Sequence, residues 1–268
     1  VITRSRFVPT ITGTGPLFQS RHLFYRISRY IYPFILGSAD IIFCHNTEDA
    51  SILNSLKNGL KIKVVGGSGI DISQSYSNRM PYRFKSTRTR IALFSRLLVD
   101  KGVREYLEAT LMLMKRFPEL KGSILLAGMY WNANLKANSI KKDEIQAWTN
   151  AGGVFIGQPV CKSQFYESVD ILCLASYREG LSNVLLEGAD SGCILVGTDV
   201  AGSIDVIGDG AGLTFRPKSS CDLLQALICA LNLDCENQDL LRLTARQRLL
   251  QKFSKEKVVA NYLEVLEI

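Results

Sequence analysis

Short apolar strands alternate with helical segments along the chain, and this alternation constrains the fold more than any other feature. Eight runs of β-branched or apolar residues, most of them bounded by Gly, Asp, Asn or Ser, predict a strand each. These runs are Asp40–Phe43, Lys61–Val65, Arg90–Phe94, Ser123–Ala127, Val154–Ile156, Ile171–Leu174, Ile194–Val196 and Gly212–Thr214. Helical periods lie between them, as in Gly102–Arg116. The order predicts an α/β fold with a mainly parallel sheet.

The segment Ser73–Arg88 interrupts the alternation. It is rich in Ser, Asn, Arg and Tyr and shows no sustained period, which is typical of a linker between domains. We therefore predict an incomplete N-terminal domain with its linker over residues 1–80, a complete domain over 81–245 and a C-terminal helix over 246–268. The alternative is that the residues before the linker form a small cap on one larger domain.

Composition excludes several classes of protein. The chain is 47% hydrophobic, which suits a buried core, and no apolar run approaches the roughly 18 residues that a membrane-spanning helix needs. Seven cysteines without a CxxC pair, two histidines and the lack of any Asp-x-Asp sequence argue against a disulfide framework and a metal site. We expect a cytoplasmic protein without metal or cofactor. Because Val1 replaces a starting Met and no leader pattern follows, we also expect a fragment that lacks its start.

The charge of the chain favours anionic ligands. Lys and Arg exceed the acidic residues by 32 to 25, a net charge of +7. No aromatic stacking motif or nucleic-acid fold signature accompanies this charge, so we expect no nucleic-acid partner. Residues 1–39 contain no acid and carry apolar residues at helical spacing among five arginines: Arg4, Arg6, Arg21, Arg26 and Arg29. Such a helix can make a peripheral contact with an anionic membrane or can pack against a sheet, and both alternatives stay open.

The segment Ser176–Gly192 carries the most chemical information. It follows a predicted apolar strand and turns into a helix near Ser182, so Glu179 comes at the carboxyl end of the strand, where open α/β sheets bind ligands. Gly180 permits close approach of the backbone, and we expect unpaired N–H groups at the helix N-terminus, such as that of Ser182, to attract phosphate. Glu187 follows one turn later, so we expect both carboxylates to face one pocket and to accept hydrogen bonds from sugar hydroxyls. The alternative is that both are solvated acids at a helix start.

A second segment, Phe94–Gly102, places two cations five residues apart after another predicted strand. Arg96 has the geometry to bind a phosphate in a bidentate manner and Lys101 adds a compact charge, so together they can neutralise a diphosphate without a metal. The alternative is a surface ion pair with Asp100 or Glu105.

Together the two segments resemble the donor-binding domain of retaining glycosyltransferases of the GT-B fold, specifically glycosyltransferase family 4, which carries an R-L-x-x-x-K-G segment and then an E-x7-E segment. Other stretches resemble, in order, a bacterial subgroup of that family that builds capsule, O-antigen and related lipid-linked glycans. These stretches are Val8–Phe18, Ile41–Asp49, Gly67–Asp71, Asp143–Trp148, Gly157–Gln158 and Thr198–Gly202. The resemblance implies one complete Rossmann-like parallel-sheet domain, which binds the donor, plus the remnant of a second on the acceptor side.

The resemblance also implies roles for the matching residues at the diphosphate. Arg96 and Lys101 would bind it, helped by the backbone amides of Gly180, Leu181 and Ser182. Because charge develops on the departing diphosphate, these groups would stabilise the transition state.

The remaining matching residues would contact the nucleoside and the sugar. Glu187 would accept hydrogen bonds from the ribose hydroxyls, Glu179 would hold the transferred sugar, and the loop at Gly157 and Gln158 would border the nucleobase. His45 stands where the subgroup has Gln, and we expect no catalytic role for it.

The implied reaction moves a hexosyl unit from a nucleotide diphosphate sugar, with a UDP-sugar as the expected donor, to a saccharide or polyprenyl-linked acceptor with retention at the anomeric carbon. One alternative is a truncated module that holds a nucleotide sugar or docks a partner without turnover. A GT-B epimerase or phosphorylase is a further alternative within the enzymes.

Overall fold

The computed structural model describes residues 6–14, 31–72, 89–130 and 138–266. The predicted linker Ser73–Arg88 lies outside these ranges, and so does most of the basic N-terminal stretch, including Arg4, Arg21, Arg26 and Arg29. Residues 31–36 of that stretch are helical. The choice between membrane contact and sheet packing therefore stays a prediction.

A three-stranded parallel sheet lies in the N-terminal part of the chain. It consists of β1 (Thr10–Ile11), β2 (Ile42–Cys44) and β3 (Ile62–Val64) in that order, and helix α1 (Thr47–Leu56) follows β2. The two predicted strands of this region are confirmed, whereas β1 was not predicted. Its two residues lie between Pro9 and Gly13 and are too few to show a strand period.

A six-stranded parallel sheet forms the larger part of the molecule, in the order β6-β5-β4-β7-β8-β9. This is the 3-2-1-4-5-6 order of a doubly wound α/β domain. All six strands confirm runs that the sequence predicts: β4 (Ile91–Phe94), β5 (Ile124–Ala127), β6 (Val154–Gly157), β7 (Ile171–Leu174), β8 (Ile194–Thr198) and β9 (Leu213–Phe215).

Helices cover both faces of this sheet, which explains why its four central strands, β5, β4, β7 and β8, are buried at every position. Successive strand residues point to opposite faces, so Ile91 and Leu93 join one buried cluster while Ala92 and Phe94 join the other. The first face is covered by α2 (Val103–Arg116), α3 (Lys142–Asn150) and α7 (Ser220–Leu231). The second face is covered by α4 (Lys162–Glu167), α5 (Asn183–Asp190), α6 (Ala201–Ile207) and α8 (Cys235–Lys252).

The last helix returns to the first sheet. Helix α9 (Lys255–Leu266) places the Tyr262 ring against Phe43 of β2, with ring centroids 4.4 Å apart. The amide of Lys255 donates to the carbonyl of Ile70 at 3.0 Å, which joins the loop after β3 to the start of this helix. Helix α8 runs across position 245, where the domain prediction places a boundary, and the domain limits themselves stay a prediction. Of the helices that the structure describes, none is long and apolar enough to cross a bilayer.

Candidate active site

The strand order creates a crevice between β4 and β7. From these adjacent strands the chain winds outward in opposite directions, so the loops after them separate at the carboxyl edge of the sheet. Arg96 and Lys101 lie in the loop after β4, and Glu179 lies in the loop after β7. The fold therefore brings the predicted cations and the first predicted carboxylate to one place.

Gly102 sets how closely the two loops approach. It follows the 3₁₀ turn Val99–Lys101 with a φ of +67°, and a Cβ on it would lie 1.9 Å from the carbonyl oxygen of Ala175. Only glycine fits this contact, because both the backbone conformation and the available space exclude a side chain. The contact holds Lys101 against the end of β7.

Lys101 and Glu179 form an ion pair within the crevice. The Lys101 Nζ donates to Glu179 Oε1 at 2.8 Å, and the two side chains are only 17% and 16% exposed. The sequence left open a surface pair of Lys101 with Asp100 or Glu105, whereas the structure pairs Lys101 across the crevice. Each of the two groups thus neutralises the other beside the open volume.

A cleft of about 370 Å³ occupies the crevice. Six residues that the sequence analysis selected line it: Arg96, Lys101, Gln158, Glu179, Leu181 and Ser182. Phe94 and Met129 add apolar surface, and Lys162 adds a third cation. Gly157 ends β6 with a φ of +72° and does not line the cleft. Gln158, the other residue of the predicted nucleobase loop, does line the cleft.

The N-terminus of α5 lies at the cleft, since Asn183 and Val184 line it. Ser182 caps the helix, since its hydroxyl accepts from the Leu185 amide at 3.2 Å. Its own amide donates to the Gly202 carbonyl at 3.3 Å, which corrects the expectation that this N–H is unpaired. Within the described part of the chain the amides of Gly180 and Leu181 make no hydrogen bond, so they are the donors left for a ligand.

Glu187 faces a neighbouring depression rather than the cleft itself. This depression of about 530 Å³ shares Lys162 and Asn183 with the cleft, so the expected single pocket for both carboxylates is instead two adjoining ones. The Tyr166 hydroxyl donates to Glu187 Oε2 at 2.6 Å and Lys162 Nζ donates to Oε1 at 3.2 Å. Burial, reinforced by the charge of Glu187, raises the pKa of Tyr166, so the phenol stays a hydrogen-bond donor.

Several residues of this region were missed by sequence reasoning. Lys162 and Tyr166 lie one turn apart on α4, and that spacing was the only signal for them. Thr14, Asn46 and Asp49 entered only as parts of family-like stretches, and the structure places them beside the loop that carries Glu179. In the ranges that the structure describes, no group of three or more His, Cys, Asp or Glu residues is placed to hold a metal ion.

Comparisons with known proteins bear on the whole chain. The family model described as glycosyl transferases group 1 matches residues 88–232. Among solved structures, Anabaena HepE in complex with UDP and glucose has 16% identity and a TM-score of 0.73, covering 98% of this chain and 71% of HepE. A search of curated protein sequences gave no match.

Two further solved structures share the fold. Sucrose-phosphate synthase from Thermosynechococcus elongatus has 17% identity and a TM-score of 0.73, over 98% of this chain and 67% of that one. The pneumococcal O-GlcNAc transferase GtfA, in complex with UDP and GlcNAc, has 18% identity and a TM-score of 0.68, over 98% and 52%. The α/β architecture with its Rossmann-like parallel sheet is therefore of the GT-B type.

Proposed function

The chain belongs to the group 1 glycosyl transferases, whose family model matches more than half of it, and from this premise we propose that it moves a sugar from a nucleotide diphosphate sugar to an acceptor hydroxyl. The observation that carries the proposal is the meeting of Arg96, Lys101 and Glu179 at the switch point of the six-stranded sheet. Cations there suit a diphosphate, and a carboxylate suits the hydroxyls of a sugar.

Lys101 is held by Glu179, and a bound diphosphate would compete for it. As Lys101 turns to the phosphates, the Glu179 carboxylate becomes available to accept hydrogen bonds from the transferred sugar. Arg96 and the amides of Gly180 and Leu181 would share the charge that develops on the leaving diphosphate. We propose that this diphosphate takes the proton of the acceptor hydroxyl, which gives retention without a side-chain base.

The finer assignments also belong to this proposal. We propose a UDP-sugar donor, a hexosyl group, a saccharide or polyprenyl-linked acceptor, and membership of family 4 in its capsule and O-antigen subgroup. Support for the donor comes from the fold shared with HepE and GtfA, whose structures contain UDP. We place Glu187 at the ribose, which requires the hydroxyls to approach a carboxylate already held by Tyr166 and Lys162. The cytoplasmic location and the absence of a metal stay predictions.

Calorimetric titration with UDP tests the proposal. We expect Arg96→Met and Lys101→Met each to weaken binding about ten- to a hundredfold, because each removes a charge-assisted hydrogen bond. Lys115→Met is the matched control, since Lys115 is exposed in the last turn of α2 and should leave the affinity unchanged. A folded wild-type chain that binds no UDP would contradict the proposal. Binding of a UDP-sugar without any release of sugar would favour the non-catalytic module instead.

A further inference from the structure

Two side chains of the N-terminal part form hydrogen bonds with the loop that carries Glu179, one on each side of Glu179. The Asn46 Nδ2 donates to the carbonyl oxygen of Gly180 at 2.7 Å. The Arg178 guanidinium donates to Thr14 Oγ1 at 2.8 Å. The residues immediately before and after Glu179 are thus both bonded to the part of the chain that holds the three-stranded sheet.

A buried carboxylate, that of Asp49, accepts hydrogen bonds from both of these side chains. Asp49 is 3% exposed, and its Oδ1 accepts from the Thr14 hydroxyl at 2.6 Å and from the Thr14 amide at 3.1 Å. Its Oδ2 accepts from Asn46 Nδ2 at 2.7 Å. Asn46 in turn caps α1 by accepting from the Asp49 amide at 2.7 Å. We call Thr14, Asn46 and Asp49 the clasp.

The clasp is fully bonded, which limits how far it can shift. Both Oδ atoms of Asp49 have donors, and the amide group of Asn46 uses its oxygen and its nitrogen. Buried polar groups of this kind hold one geometry, because any shift leaves a donor or acceptor unpaired away from water.

The backbone lies close to the loop on either side. A Cβ on Gly180 would lie 2.0 Å from the carbonyl oxygen of Thr12, so the loop touches the N-terminal backbone directly. On the opposite side, a Cβ on Gly202 would lie 2.5 Å from the carbonyl oxygen of Glu179. The loop is therefore enclosed between the two parts of the molecule.

We propose that the clasp is a positioning device that sets the direction of Glu179, and hence the fit of the transferred sugar; this rests on the function proposed above. Arg96 and Lys101 are carried by the loop after β4, to which the clasp makes no hydrogen bond within the described ranges, whereas the residues on both sides of Glu179 are bonded to the clasp. Loss of the clasp then disturbs the loop amides that face the diphosphate, but Arg96 and Lys101 keep their places, so the hold on the sugar weakens more than the hold on the nucleotide.

The test uses the ratio of two dissociation constants, that of a UDP-sugar divided by that of UDP. The probe is whichever of UDP-glucose, UDP-galactose and UDP-N-acetylglucosamine the wild-type chain binds most tightly. Asn46→Ser keeps a residue that caps helices well but loses the reach to Gly180, and we expect it to raise the ratio about five- to tenfold. Asn54→Ser, at an exposed position of the same helix, is the control and leaves the ratio unchanged.

A double-mutant cycle separates positioning from a general loss of stability. If the clasp acts through Glu179, adding Asn46→Ser to Glu179→Gln changes the ratio no further. Arg178→Met removes the hydrogen bond to Thr14 from the six-stranded side, and we expect it to raise the ratio as well. The test therefore does not depend on the folding of one variant.

Equal ratios for wild type, Asn46→Ser and Arg178→Met would overturn the clasp while leaving the proposed function intact. An equal further rise in the Glu179→Gln background would also overturn it. A wild-type chain that binds neither UDP nor any UDP-sugar would overturn both proposals.

Discussion

The two sheets of this molecule differ in how they contribute to the site. The six-stranded sheet buries a cluster on each face and brings the cations and the first carboxylate together from its own strand ends. Among the described residues, the three-stranded sheet packs with one small cluster of Leu36, Ile42, Cys44, Ala50 and Leu53, and it reaches the site through hydrogen bonds to a loop of the other part. Most of the buried core and the cations of the cleft thus lie in one part, and the side chains that hold the loop lie in the other.

The largest losses of stability should follow the removal of a buried leucine from the core beside each sheet. Leu126→Ala empties a site surrounded by the larger core and should lower the free energy of unfolding by about 4 kcal/mol. Leu53 belongs to the small cluster, whose neighbours can relax into the space more easily, so Leu53→Ala should lower the free energy of unfolding by about 3 kcal/mol. Urea denaturation followed by circular dichroism measures both. A larger loss for Leu53→Ala would break the comparison.

Two glycines with positive φ, one in each part of the molecule, sharpen the same comparison. Gly102 has a positive φ, and a Cβ added there would clash with the Ala175 carbonyl. We therefore expect Gly102→Ala to lower the free energy of unfolding by about 3 kcal/mol. Gly59→Ala, in the three-stranded part, has a φ of +81° and no atom within 4 Å of the added Cβ, so only the backbone cost of about 1 kcal/mol remains. The same denaturation experiment measures both losses, and similar values for the two would contradict the steric argument at Gly102.

Tyr166→Phe tests how the six-stranded part recognises the ribose of the nucleotide. Tyr166 belongs to the six-stranded part and orients Glu187, so its loss should weaken UDP binding about tenfold. Binding of 2′,3′-dideoxy-UDP, which has no ribose hydroxyls, should be the same in wild type and variant. Calorimetry measures both affinities. An equal loss for the two nucleotides would show that Tyr166 acts on the fold and not on ribose recognition.

The smallest effect concerns His45, at the carboxyl end of β2. Burial lowers the pKa of His45, although the charge of Asp49 opposes the shift. Below a pH of about 6.5 the unfolded chain then binds a proton that the folded chain does not. The contribution of His45 to stability is therefore complete above that pH and declines as the pH falls toward the folded pKa. Unfolding free energies at several pH values should show a shallow decline that His45→Gln lacks.

The sequence predicted the site best where chemistry follows directly from strand order. Arg96, Lys101 and Glu179 each come just after a strand, and parallel strands deliver such residues to one edge. The Ser182 amide was assigned incorrectly because its acceptor, Gly202, lies in a later strand–helix unit. Contacts between distant side chains, such as Tyr166 with Glu187 or Asn46 with Gly180, leave no local pattern. The chain sets their distances only once both sheets are packed.

The return of α9 to the first sheet has a consequence for biosynthesis. Phe43 and Ile70 find their partners, Tyr262 and Lys255, some two hundred residues later in the chain. Contacts of such high sequence separation form slowly, and on the ribosome a segment made early has to wait for one made late. The strands of both sheets are therefore synthesised before α9, and the three-stranded sheet gains its contacts with this helix only after α9 has left the exit tunnel.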